Sequence, residues 1–122
     1  MTHLIPVGAL LVDDELLLTL DIEDILVRGG IEVAAACATN AQALAWLASY
    51  KPFVAVIDFR LKDGTSQPVA KVLENMGVPT VVYSGNAYEA DLHKANFGRF
   101  PWLQKPCEPD TLLAALHSVM KL

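Results

Sequence analysis

No run of basic residues occurs anywhere in the chain. Nine lysines and arginines lie scattered among fourteen aspartates and glutamates, for a net charge of -5. A nucleic-acid groove needs a clustered basic footprint, so direct DNA binding is not expected. Cysteine is as sparse: Cys37 and Cys107 stand alone, with no CxxC pair. His3, His93 and His117 are too far apart in sequence for zinc-ligand spacing and read as surface or packing residues. The apolar start MTHLIPVGALLV has no basic lead and stops at Asp13-Asp14, too short to span a bilayer. It reads as a buried strand and not a signal peptide. The expected location is therefore the cytoplasm, away from membranes, with both thiols free. There is no internal repeat, low-complexity tract or linker, and no G-x-S-x-G, P-loop or dinucleotide-binding glycine pattern.

What the 122 residues do contain is apolar: 53% hydrophobic against 19% charged, enough for one domain over 1–122 with its own core. Short apolar, β-branched runs recur at 8–12 (GALLV), 31–36 (IEVAAA), 53–58 (FVAVID), 79–84 (PTVVYS) and 99–104 (RFPWLQ). Runs without polar alternation suit strands buried on both faces, as in parallel sheets. Helical patterns fill the gaps. Over 14–29, Leu18, Ile22 and Ile25 share a face and Gly29-Gly30 ends the helix. Asn40 is the expected N-cap of a second helix, with Leu44, Leu47 and Ala48 inward. The third, 66–76, has Pro68 near its start, Val69, Val72, Leu73 and Met76 on one face, and Gly77 at its end. A fourth over 86–97 has no clean stripe. The last begins near Pro109 and aligns Leu112, Leu116 and Val119. Five β–α units in succession predict an α/β, doubly wound five-stranded parallel sheet with helices on both faces.

In such a sheet, ligands bind beyond the carboxyl ends of the strands. The first apolar run ends in Asp13-Asp14, the third in Asp58, the fourth in Ser84-Gly85, and the fifth leads into Lys105-Pro106. Singly, each has an ordinary reading: Asp14 as a helix cap, Asp58 as the start of a turn ending at Asp63-Gly64, Ser84-Gly85-Asn86 as a loop, Lys105 as a solvated lysine. Four strands of five delivering acids, a hydroxyl and an ammonium to one edge is harder to assign to chance. Three converging carboxylates make a hard oxygen site for Mg²⁺, which would also relieve their mutual repulsion. Asp58, central in the sheet, is placed as a nucleophile toward phosphorus. Mg²⁺, the Lys105 ammonium, and the Ser84 hydroxyl with nearby backbone N–H groups would each take a phosphoryl oxygen.

With these motifs the chain resembles the response-regulator receiver domains of two-component signalling, over residues 8 to 121. The resemblance implies the flavodoxin-like strand order 2-1-3-4-5 and Asp58 as phosphoacceptor. It implies Mg²⁺ held by Asp14, Asp58 and the Arg60 carbonyl, with Asp13 acting mostly through water. It also implies a cis bond before Pro106, and a switch in which Ser84 moves toward the phosphoryl group and Trp102 turns behind it. Trp102 stands where Tyr or Phe is usual, Cys107 where Phe is usual, and Lys62 where Pro is frequent, which would leave the loop after Asp58 freer. Ser84 is an accepted variant of Thr.

The implied partners are a sensor histidine kinase or histidine phosphotransfer protein as donor, and a downstream protein that the sequence does not identify. With no output domain after the last helix, the chain resembles stand-alone receivers that switch partner binding or relay phosphate. Such a protein catalyses only its own phosphorylation and dephosphorylation. Arg60 and Asn86, two residues beyond Asp58 and Ser84, are positioned to set the phosphoryl lifetime. The alternative is a degenerate receiver-fold interaction module that is never phosphorylated, though such modules tend to lose an acid, the hydroxyl or the lysine. An aspartyl-phosphate phosphatase of the haloacid-dehalogenase type would need an acid where Arg60 stands. A flavin module would need a phosphate-cradling loop where Asp13 and Asp14 would repel it.

Overall fold

The structure is a computed structural model that describes residues 5–85 and 93–120. Along the chain, β1 (Ala9–Val12) leads to α1 (Leu16–Arg28), and β2 (Val33–Cys37) to α2 (Asn40–Leu47). β3 (Val54–Asp58) leads to a small hairpin, β4 (Arg60–Leu61) and β5 (Gly64–Thr65), and then to α3 (Gln67–Met76). β6 (Thr80–Ser84), a 3-10 turn (Lys94–Phe97), β7 (Trp102–Gln104) and α4 (Pro109–Met120) follow. Most of the helix expected over 86–97, including Asn86, lies outside the described residues.

The five long strands pair in parallel in the order β2-β1-β3-β6-β7. Counted without the hairpin, this is the expected order 2-1-3-4-5. The central strands β1, β3 and β6 are buried almost throughout, while β2 and β7 are partly exposed. Those two are the edges, so their apolar runs are covered less than the sequence pattern suggested.

Strand alternation divides the core into two layers. Ala9, Leu11, Val54, Val56, Val81 and Tyr83 meet Ile22 and Leu26 of α1 and Leu112 and Leu116 of α4. Leu10, Val12, Ala55, Ile57 and Val82 meet Ala43 and Leu47 of α2 and Val69 and Leu73 of α3. Helices therefore cover both faces, and consecutive strands are joined across them.

The helix ends and inward faces differ in detail from the sequence pattern. α1 begins at Leu16, two residues later than expected, and its buried seam is Thr19, Ile22 and Leu26, with Leu18 and Ile25 only half-buried. Thr19 can occupy that seam because its hydroxyl donates to the Glu15 carbonyl at 3.0 Å. A count of apolar residues alone misses it. In α2 the cap is Thr39, whose hydroxyl accepts the Gln42 N–H, and Asn40 is the buried first residue. Ala43 and Leu47 face inward, whereas Ala48 is exposed. α3 ends as expected at Gly77, whose φ of 72° is the left-handed cap that glycine adopts without strain.

The hairpin was not expected; the sequence showed only its turn, Asp63-Gly64. The Asp63 carboxylate accepts hydrogen bonds from the backbone N–H groups of Asn40 (2.9 Å) and Ala41 (3.1 Å) and from the Asn40 amide. These bonds hold it below the usual carboxylate range. The Asn40 amide also donates to the Thr65 carbonyl at 2.9 Å. The loop after Asp58 is thereby tied to the first turn of α2, although Lys62 replaces the frequent proline.

Cys37 ends β2 and Cys107 follows β7, at opposite edges of the sheet, and both are free thiols. Four strand spacings amount to about 19 Å, against a limit of roughly 7 Å between bridged Cα atoms. Thiol titration of the unfolded, unreduced monomer should count both sulfhydryls. Finding neither would contradict the strand order.

Candidate functional site

The carboxyl edge of the sheet carries the expected acids. Asp13 directly follows β1; its N–H donates to the Cys37 carbonyl at 2.9 Å, and one carboxylate oxygen accepts the Glu15 N–H at 2.9 Å. The other oxygen accepts the Lys105 ammonium at 3.0 Å, and that ammonium lies 3.3 Å from the Asp58 carboxylate. These are not surface pairs: the side chains of Asp13, Asp58 and Lys105 are 5%, 12% and 13% exposed. Asp14 completes the group. One carboxylate oxygen from each of Asp13, Asp14 and Asp58 falls within 4.8 Å of the others. The helix-cap reading of Asp14 does not hold, because the α1 cap position is Glu15 and makes no side-chain cap bond.

Ser84 is buried at the end of β6, and its carbonyl accepts the Lys105 N–H at 2.8 Å. Gly85 follows, exposed, and a cis peptide joins Lys105 to Pro106. Arg60 opens β4, exposed, with its guanidinium 5.3 Å from the Phe59 ring centre. Trp102 lies inward: its ring sits 5.3 Å from Phe59 and 5.2 Å from Phe97, and its buried indole N–H finds no acceptor among the described residues. Asn86 is outside the described residues. Asp13, Asp14, Asp58 and Lys105 thus converge directly, Ser84 holds the Lys105 backbone, and Trp102 packs behind. Sequence reasoning missed Tyr83 and Phe59, apolar in pattern: the Tyr83 ring centre lies 5.5 Å from the Lys105 ammonium, and the Phe59 ring faces the Arg60 guanidinium.

The electrostatics follow from the geometry. Burial pushes the Asp58 carboxyl up to about 6; Lys105 pulls it down and Asp13 pushes it up, with the net effect upward. One ammonium among three carboxylates leaves a local excess of negative charge. All the donors are hard oxygens, which is the chemistry that suits Mg²⁺. Asp13, Asp14 and Asp58 therefore fit a divalent cation of that kind.

The sign of the Asp58 shift sets a pH dependence. Between its ordinary value of 3.8 and about 6, the folded state holds a proton that the unfolded state has lost. Without a divalent cation, stability should therefore fall as pH rises through that window. Asp58→Asn, which removes the charge, should stabilise the protein by about 1–2 kcal/mol at pH 7, allowing for solvent screening. The gain should vanish near pH 3. Thermal melts at both pH values in EDTA check this, and no gain at pH 7 would refute it.

A family model for the response regulator receiver domain matches residues 9–117. No curated protein matches the chain. Among solved structures, a response regulator receiver protein from Sinorhizobium medicae is 29% identical, with a TM-score of 0.84 and 95% of each chain covered. SdrG from Sphingomonas melonis is also 29% identical, with a TM-score of 0.78 over the whole of both chains. A CheY-like receiver domain protein from Methanospirillum hungatei is 26% identical, with a TM-score of 0.81, covering 93% of this chain and 92% of that one. The match spans the acids after β1, the acid ending β3, the hydroxyl ending β6 and the lysine after β7, and the chain belongs to the response regulator receiver family.

Proposed function

We propose that the chain is a phosphorylation-controlled signalling module in which Asp58 accepts a phosphoryl group from a histidine kinase or histidine phosphotransfer protein. The observation that carries this reading is the Lys105 ammonium, bound to both Asp13 and Asp58 at the carboxyl edge. A degenerate module tends to lose an acid, the hydroxyl or the lysine, and here all of them remain.

In the proposed reaction an Asp58 carboxylate oxygen attacks phosphorus. An O–P bond forms as the P–N bond to the donor histidine breaks, and the electron pair leaves on the imidazole nitrogen. Asp58 is mostly ionised at pH 7, as the attack requires. Lys105 would follow the charge onto a phosphoryl oxygen, and the Ser84 hydroxyl with the Gly85 backbone would receive another. Asp14, Asp58 and the Arg60 carbonyl would hold Mg²⁺, with Asp13 acting mostly through water, and the ion when bound would supply neutralisation of the remaining charge. Arg60 and Asn86 would screen or orient the hydrolytic water and so set the phosphoryl lifetime.

The chain would act as a single receiver unit over 1–122, in the cytoplasm, passing its state to a downstream protein or relaying phosphate. No helix among the described residues is long and apolar enough to cross a membrane. For output, we assign the switch to Ser84 and Trp102, which belong to the same layer of the sheet. The Trp102 ring is already packed between Phe59 and Phe97. Phosphorylation would therefore repack the indole as Ser84 moves, biasing a two-state equilibrium.

Mass spectrometry after incubation with acetyl phosphate should find one phosphate, on Asp58, only when Mg²⁺ is present. An adduct on Asp58→Asn, or unchanged labelling in EDTA, contradicts the reading. The decay of the adduct should differ from wild type in Arg60→Ala or Asn86→Ala; identical decay in both removes their lifetime role.

Trp46 lies on α2, stacked on Tyr50. In Trp46→Phe, Trp102 is the sole indole, and beryllofluoride with Mg²⁺ should change its emission. An unchanged spectrum would make Trp102 a fixed packing residue.

A further inference from the structure

Lys105 has to cross a strand to reach its partners. It follows β7, which lies two strands from β3 and three from β1 in the sheet, roughly 10 and 14 Å away at ordinary strand spacing. Its ammonium nevertheless lies 3.3 Å from Asp58 and 3.0 Å from Asp13. The side chain therefore runs over the end of β6, and the residue it passes there is Tyr83.

Tyr83 pairs in register with Asp58 on one side and Leu103 on the other. It is buried, in the layer formed with Leu11, Val56 and Leu112. Its ring centre lies 5.5 Å from the Lys105 nitrogen, inside the range of about 6 Å over which an aromatic face attracts an ammonium. Its hydroxyl accepts the Cys107 N–H at 3.1 Å. One side chain thus touches both the charge and the backbone two residues beyond it. Burial, with the adjacent Cys107 thiol, pushes the phenol up to about 12, so no phenolate competes for the ammonium. An aliphatic side chain at position 83 would fill the layer but provide neither contact.

Resting on the phosphoacceptor reading above, we propose that Tyr83 is a positioning residue for phosphoryl transfer to Asp58. Its ring carries the Lys105 side chain across β6, and its hydroxyl fixes the loop from which Lys105 extends.

Tyr83→Phe keeps the ring and removes the hydroxyl; Tyr83→Leu removes both. The rate of Asp58 phosphorylation by acetyl phosphate with Mg²⁺ should fall about tenfold in Tyr83→Leu and only about two- to threefold in Tyr83→Phe. In a Lys105→Met background, Tyr83→Leu should have no further effect, because Tyr83 acts through the lysine. An equal fractional loss in both backgrounds would make Tyr83 a core residue and overturn the inference. A second readout needs no phosphorylation: the Lys105 ε-methylene protons should be shifted upfield by the ring in wild type and Tyr83→Phe, and not in Tyr83→Leu. Should Tyr83→Leu fail to fold, Tyr83→Met supplies a flexible filler without a ring. If wild type takes no phosphate, the phosphoacceptor reading fails and this role fails with it, even where the ring shift is seen. If wild type is labelled but the lysine resonance is the same without the ring, the Tyr83 inference alone fails.

Discussion

A single ammonium holds the carboxyl edge of this sheet together. Asp13 follows β1 and Asp58 ends the neighbouring β3, and Asp14 adds a third carboxylate within 4.8 Å. Buried like charges at that distance would otherwise be neutralised by protonation or forced apart. Lys105 binds two of them at once, which is possible only because the strand order puts β7 two places from β3 and the Ser84 carbonyl fixes the Lys105 N–H. The arrangement is balanced incompletely by design of its charges: one cation against three anions leaves room for a divalent ion. Burial raises the Asp58 carboxyl all the same, more than the Lys105 ammonium lowers it.

Strand alternation then separates the charged cluster from the aromatic one. Tyr83, with Leu11 and Val56 two residues before Asp13 and Asp58 on their strands, belongs to the layer under α1 and α4. Phe59, Phe97 and Trp102 belong to the layer under α2 and α3. Asp58 and Phe59 are adjacent in sequence, so one backbone step joins the two layers. Phe59 touches His93, Phe97 and Trp102 through ring contacts of 5.0 to 5.4 Å. A displacement at Asp58 has a packed aromatic route to the far layer, and packed side chains have discrete alternatives more readily than gradual ones.

The sequence made legible what depends on pattern along the chain, and left unread what depends on partners across it. Apolar runs and glycine stops located the described strands of the main sheet and α1 to α4 to within a few residues, and the polar residues ending four runs pointed to the carboxyl edge where Asp13, Asp14, Asp58 and Lys105 meet. Thr19 was passed over and Asn40 was assigned to the cap because a polar residue enters a core once partners are found for it: Thr19 bonds Glu15, and Asn40 bonds Asp63 and Thr65. Neither bond leaves a trace in hydrophobic periodicity. Tyr83 was hidden for the opposite reason. Its aromatic ring reads as one more apolar position in a buried strand, and only the strand order reveals that a lysine must pass over it.

The hairpin after Asp58 shows how the site gains its fixed geometry without the frequent proline. The Ser66 N–H donates to the Phe59 carbonyl at 2.8 Å and closes the loop at its base. At its tip, Asp63 supplies the N–H groups at the start of α2 with an acceptor, a role usually met by a cap within the helix's own loop. Arg60 lies between these two anchors. Its carbonyl is therefore presented from a segment tied at both ends to regular structure, and a site built on such elements holds its groups more accurately than one on an open loop. Lys62 can replace proline because the restraint comes from hydrogen bonds on either side of it, and not from its own φ.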